Sequence, residues 1–228
     1  MTDGRLPRRG LLTTAGLAAS GALLGGCGAA SRLLVGDPAR QFTLTPKSTF
    51  DEGLPEVFWQ LLIEMPVAAT ALDSVRIALQ ADPFEIQYYN GVAWAARAPA
   101  MVQTLLVESF ENANRIVAVG RESIGLRANF VLKTELREFQ AEYPGPESIG
   151  TVNPTVRVRL NAKLVRVPER TIIGSRNFED LAEAEAPNIV SVVSAFDDAL
   201  GSVMGGTVEW TLRTGEADWV ARQTGGGG

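Results

Sequence analysis

Val156-Arg157-Val158-Arg159-Leu160-Asn161-Ala162-Lys163-Leu164 decides the fold class. Every second residue is apolar, and every residue between is polar. Period two is the spacing of a strand with one buried face and one wet face. The preceding stretch reads the same way. Leu126, Ala128, Phe130, Leu132, Thr134 and Leu136 alternate with Arg127, Asn129, Lys133, Glu135 and Arg137. Pro144-Gly145-Pro146 marks a surface loop between the two, Pro168-Glu169 turns the chain, and Thr171 to Phe178 returns as a further strand.

Working outward, Phe42-Thr43-Leu44-Thr45-Pro46 reads as a short edge strand that Pro46 ends. Val57 to Met65 is nearly continuous in apolar residues, the pattern of a strand buried on both faces. Thr70 with Asp73 predicts a capped short helix or turn. Arg76 to Gln80 reads as a strand turning at Asp82-Pro83. Phe84, Ile86 and Tyr88 alternate with Glu85, Gln87 and Tyr89 until Asn90-Gly91 predicts a tight turn. Pro99 opens a helix whose Val102, Leu105, Leu106, Ser109 and Phe110 share one face. Ile116 to Val119 is a short strand. A last helix starts near Pro187, with Ile189, Val193, Phe196, Leu200, Val203 and Leu212 on one side and Gly205-Gly206 weakening it. The expected fold is a single α+β domain: a mixed, mostly antiparallel sheet with helices packed on one face.

The 228 residues carry a formal charge of −5, which argues against a nucleic-acid partner held by phosphate neutralisation. There is no histidine and one cysteine. Serine–histidine and cysteine–histidine machinery, histidine-liganded zinc and an intrachain disulfide are all excluded. Glu64, Glu85, Asp197 and Asp198 are the carboxylates considered for acid–base work, and no spacing singles them out. No enzyme, metal site or cofactor is expected.

The N-terminus is an export signal. Arg5, Arg8 and Arg9 precede a mildly apolar run from Leu11 to Leu24, too short and glycine-rich to span a bilayer. It ends in Leu24-Gly25-Gly26-Cys27, which resembles the bacterial lipobox: an apolar residue, two small ones, then the cysteine that is lipidated. Pro7-Arg8-Arg9-Gly10-Leu11-Leu12 also resembles a twin-arginine signal, so either export route fits. The expected organisation is a signal peptide over 1–26, a lipidated tether over 27–40, the folded domain over 41–214 and a flexible tail over 215–228.

Tyr88, Tyr89 and Trp94, beside Asn90-Gly91, are candidate partner contacts, because tyrosine and tryptophan are enriched at interfaces. Core positions for Tyr88 and Trp94 are the equal alternative. The outward stripe Arg127, Lys133, Arg137, Arg157, Arg159 and Lys163 reads as a wet strand face balanced by Glu179, Asp180, Glu183 and Glu185, rather than as a site for anions. Gly201-Ser202-Val203-Met204-Gly205 reads as close packing on the sheet.

With Cys27, the Phe42–Pro46 opening, Gln87-Tyr88-Tyr89, Trp94, Ala195-Phe196-Asp197-Asp198-Ala199 and Glu209-Trp210-Thr211-Leu212 in place, residues 40–213 resemble a known family. It is the ABC-type transport auxiliary lipoproteins, the paraquat-inducible-protein-C-like group; Phe42 stands where that family often has tyrosine. The resemblance implies a periplasm-facing, non-catalytic lipoprotein held to the membrane by its lipid. Its implied partners are an ABC permease, its ATPase and an MCE-domain protein, which together move phospholipid or other hydrophobic molecules. Gly28 in place of an aspartate favours the outer membrane. A homo-oligomer would fit such an envelope part. The alternatives are a structural envelope lipoprotein, or a stand-alone lipid carrier with a pocket between the Val57–Met65 strand and the last helix.

Overall fold

The computed structural model describes residues 38–121 and 127–225. Leu24, Gly25, Gly26, Cys27, most of the tether and Leu126 lie outside the described residues.

The elements in chain order are β1 (Arg40–Phe42), β2 (Val57–Ile63), β3 (Val67–Ala68), β4 (Arg76–Asp82), β5 (Glu85–Trp94), α1 (Ala98–Ala113), β6 (Ile116–Gly120), β7 (Phe130–Glu142), β8 (Thr155–Arg166), β9 (Thr171–Glu183) and α2 (Ile189–Gly225). The two alternating stretches become β7 and β8, and β9 completes an antiparallel meander with them. The other edge of β7 takes three parallel strands in turn. β2 pairs at Leu61–Phe130, β3 at Val67–Glu135 and β4 at Ala78–Gln140. β6 extends the sheet beyond β2, while β5 and then β1 extend it beyond β4. The result is one mixed sheet of nine strands. Most of its paired residues lie in antiparallel ladders.

Both helices cover the same face. Val156, Val158, Leu160, Ala162 and Leu164 are fully buried there, as are Phe130 and Leu132. The long helix α2 packs on β8 and β9, and α1 packs beside it over β6. By length and composition α2 could cross a membrane, but half of its most apolar window is buried in this domain. Its buried side chains, among them Val192, Phe196, Leu200, Val203, Val208 and Leu212, follow helical spacing and make it a core helix.

Several expectations need correction. β2 is not buried on both faces: it alternates, and Phe58 is 73% exposed on the open side. Of the short helix or turn expected at Thr70–Asp73 it is the turn that forms, with Leu72 and Asp73 donating to the Ala69 carbonyl. Asn90-Gly91 does not turn the chain, because β5 runs straight through it. Gly91 spends its positive φ of 70° on an irregularity in the ladder with β4. The hairpin turns instead at Pro83-Phe84, where the Asp82 carboxylate accepts the Phe84 amide at 2.8 Å. β7 starts at Phe130 and outlasts its alternation, since a bulge after Leu136 swaps the inward phase and buries Phe139. α2 runs on through Gly205 and Gly206 to Gly225, so residues 215–225 of the expected tail are helical.

The close approach expected at Gly201 and Gly205 falls elsewhere on the helix. A Cβ on Gly215 would lie 2.6 Å from the Trp59 ring, so glycine alone lets α2 settle over β2 there. Trp59 meets Phe130 edge-on at 4.9 Å and donates its Nε1 hydrogen to Glu216 at 3.1 Å. This fully buried tryptophan lies between β2 and the last helix, where the alternative reading as a lipid carrier needs its pocket.

Candidate functional site

The three aromatic candidates separate. Trp94 is 1% exposed and packs against Phe139 and Phe196, so it is a core residue and not a partner contact. It is buried because β1 flanks it and α2 lies over it. Tyr88 is half-buried, donates to the Ala71 carbonyl at 3.1 Å and carries the Arg76 guanidinium 3.5 Å above its ring. Tyr89 shares a 2.8 Å hydrogen bond with Tyr143.

Burial and then that hydrogen bond push the Tyr89 hydroxyl far above the usual tyrosine range. A folded state that keeps a proton the unfolded chain gives up loses stability as pH rises. The domain should therefore hold its stability up to about pH 10 and lose it above. Tyr89→Phe should flatten that alkaline loss; urea melts between pH 8 and 11 check it, and an unchanged slope would remove Tyr89 as its source.

The four carboxylates considered for acid–base work come from three separate places in the fold: Glu64 just after β2, Glu85 at the start of β5, and Asp197 and Asp198 in α2. Asp197 receives the Thr45 amide at 2.6 Å and the Thr45 hydroxyl at 2.7 Å, fastening the strand-to-loop entry to α2. Glu64 pairs with Lys133, and Glu85 sits at the β4–β5 hairpin. Among the described residues no group of three or more histidine, cysteine, aspartate or glutamate residues could hold a metal ion. The residues that carry the family resemblance are mostly structural: Leu44, Trp94, Phe196 and Leu212 are buried, and Trp210 meets Phe178 edge-on at 5.9 Å.

The open face of the sheet carries the basic stripe, and most of it is neutralised. Lys133 meets Glu64 at 2.8 Å, Arg137 meets Glu135 at 2.8 Å, and Arg159 meets Glu138 at 2.5 Å. Arg157 bridges Glu142 at 2.7 Å and also Glu179, which together hold its proton more firmly than usual. Of the four carboxylates expected to balance the stripe, Glu179 alone does so; the rest of the balance comes from Glu64, just past the end of β2, and from β7. Among the described residues Lys163 and Arg170 have no carboxylate partner.

Next to those two cations lies a cleft of about 450 Å³, a size suited to small-molecule sites. Glu64, Val131, Lys133, Val165, Val167, Arg170 and Ile172 line it. Its floor follows from register. Leu62 stands opposite Val131, Val131 opposite Val165, and Val165 opposite Ile172, an apolar row across four strands. The next row carries Lys133 opposite Lys163. Sequence reasoning missed this cleft, although Val131 and Val165 each break the polar side of an alternating strand and were the available signal.

The model for the ABC-type transport auxiliary lipoprotein component family matches residues 42–205. A crystal structure of a Xanthomonas campestris protein is 33% identical, covers 79% of this chain and 98% of its own, and superposes with a TM-score of 0.73. A second solved structure is 13% identical, covers 75% of this chain and 97% of its own, and shares the fold alone at a TM-score of 0.58. An uncharacterised protein of Bradyrhizobium diazoefficiens is 25% identical over 179 residues, 78% of this chain. The chain spans about half the length of that curated relative, 46%.

Proposed function

We infer the function from one premise: this chain belongs to the ABC-type transport auxiliary lipoprotein component family. The matched residues 42–205 hold strands β2 to β9, all of α1 and the first turns of α2, so the likeness is carried by most of the folded domain. On that basis the protein works as a docking subunit. It is tethered through a lipidated Cys27 after removal of residues 1–26, faces the periplasm, and engages an ABC permease, its ATPase and an MCE-domain protein. The cargo of that assembly is phospholipid or another hydrophobic molecule, and this subunit does no chemistry itself. Gly28 after the lipidated cysteine favours outer-membrane attachment.

The reading is supported by the scattered carboxylates, the missing histidine and a lipobox-like Leu24-Gly25-Gly26-Cys27 whose cysteine is the chain's one cysteine. The test is affinity purification of the full-length, lipidated protein from solubilised membranes, with mass spectrometry of what accompanies it. A permease, an ATPase and an MCE-domain protein should be recovered together. Their absence, with the protein intact and lipidated, would overturn the transporter assignment in favour of a structural envelope lipoprotein.

A further inference from the structure

We propose that the cleft on the open face of the sheet holds one acyl chain of an anionic phospholipid, with the headgroup against Arg170. It rests on the transport reading above for lipid reaching this face, and it adds where and how this subunit touches cargo.

The floor is Val131, Val165 and Ile172, and Leu62 on β2 continues the same apolar row beside Val131. Four strands at their usual spacing give that row a length of about 14 Å, room for much of an extended acyl chain. Val165 is only 6% exposed although it points to the open face, and Ile172 is 56% exposed at the rim. A folded acyl-chain site needs this combination: a sheltered apolar base with an accessible edge. The neighbouring stretch of the same face differs in kind. Further along β8 and β9 the open-face positions are Arg157 and Glu179, which pair with each other. The apolar row therefore interrupts a face on which Lys133, Arg137, Arg157 and Arg159 are held in ion pairs.

Charge complementarity selects an anionic head. The chain as a whole is acidic, at −5. Yet the cleft is bordered by Lys133, Lys163 and Arg170, with Glu64 as the carboxylate that faces them. Lys133 is already satisfied by that carboxylate at 2.8 Å. Arg170 lines the cleft from the β8–β9 connection and is without a carboxylate partner among the described residues. Its planar fork of donors matches a phosphate. Lys163 adds an uncompensated charge one row away.

The experiment places a photo-cross-linking residue, Ile172→p-benzoylphenylalanine, in the full-length chain in cells, irradiates, and identifies adducts by mass spectrometry. The control is the same substitution at Leu181, which is 50% exposed on the same strand and face but lies among the ion pairs. Phospholipid adducts, enriched in anionic headgroups, should form at 172 and not at 181. Adding Arg170→Glu should cut the yield about tenfold, the loss of one charge-assisted contact, while Arg170→Lys should retain most of it. Equal lipid labelling at both positions, or adducts that mirror the bulk lipid composition, would overturn the proposal. A polypeptide adduct at 172 would make the cleft a protein-docking surface and would also overturn it. The two readings fail separately. Recovery of the transporter subunits without lipid at 172 sinks the cleft alone, while lipid at 172 without those subunits sinks the transporter assignment.

Discussion

Phe196→Ala should cost the domain about 3–5 kcal/mol, the range for truncating a fully buried large aromatic residue. Phe196 has no exposed surface and sits where three elements meet. Its ring lies 5.1 Å from Trp94 of β5 and 4.9 Å from Phe139 of β7, edge-on to the first and tilted to the second. Such aromatic pairs add a favourable term beyond the area they bury. The helix backbone fixes Phe196 between residues that are themselves fully buried, so the site has little freedom to collapse. The melting temperature should fall by about 10 °C for a domain of this size. Thermal and urea melts measure it. A loss below about 1 kcal/mol would mean that α2 is joined to the sheet elsewhere than at this cluster.

Cys27→Ala should move the protein from the membrane fraction to the soluble fraction. Residue 27 lies outside the described structure, so the expectation stands on sequence and on the energetics of anchoring. Each buried methylene contributes about 0.8 kcal/mol, and one chain gives marginal binding while two or more hold firmly. A diacylglyceryl cysteine with an added N-acyl chain exceeds that threshold. The chain's net charge of −5 opposes attachment to an anionic membrane by charge alone. Fractionation of cells expressing each form decides the matter. Retention of Cys27→Ala at the membrane would overturn the lipid anchor.

The sequence made the meander legible because its periodicity is enforced along a whole face. The inward residues from Val156 to Leu164 are buried under the helix layer, and the polar residues between them point to the opposite, open face. Local signals failed where one residue type serves two ends. Asn90-Gly91 is a strong turn signal, but the positive φ of Gly91 serves an irregular ladder, and Asp82 caps the actual turn. Tryptophan suits an interface or a core equally, and Trp94 is core because β1 and α2 arrive from distant parts of the chain. The cleft was illegible for the same reason. Leu62, Val131, Val165 and Ile172 become neighbours through register across four strands, which no window of sequence contains. Only Val131 and Val165, apolar at outward positions, hinted at it.

The forked pairing of β7 has a consequence for the order in which the chain can be finished. During synthesis, β2 with β6 and β4 with β5 and β1 can assemble as two separate patches. They become one sheet when Phe130–Glu142 enters between β8 and the three parallel strands, and the part of the apolar face that α1 leaves open is covered when α2 is in place. Contacts so distant along the chain are slow to form. A nascent chain that stalls before residue 130 carries Trp59 and Trp94 with no lid and open strand edges on both patches, which makes it a target for chaperones and proteases until the carboxyl-terminal third arrives.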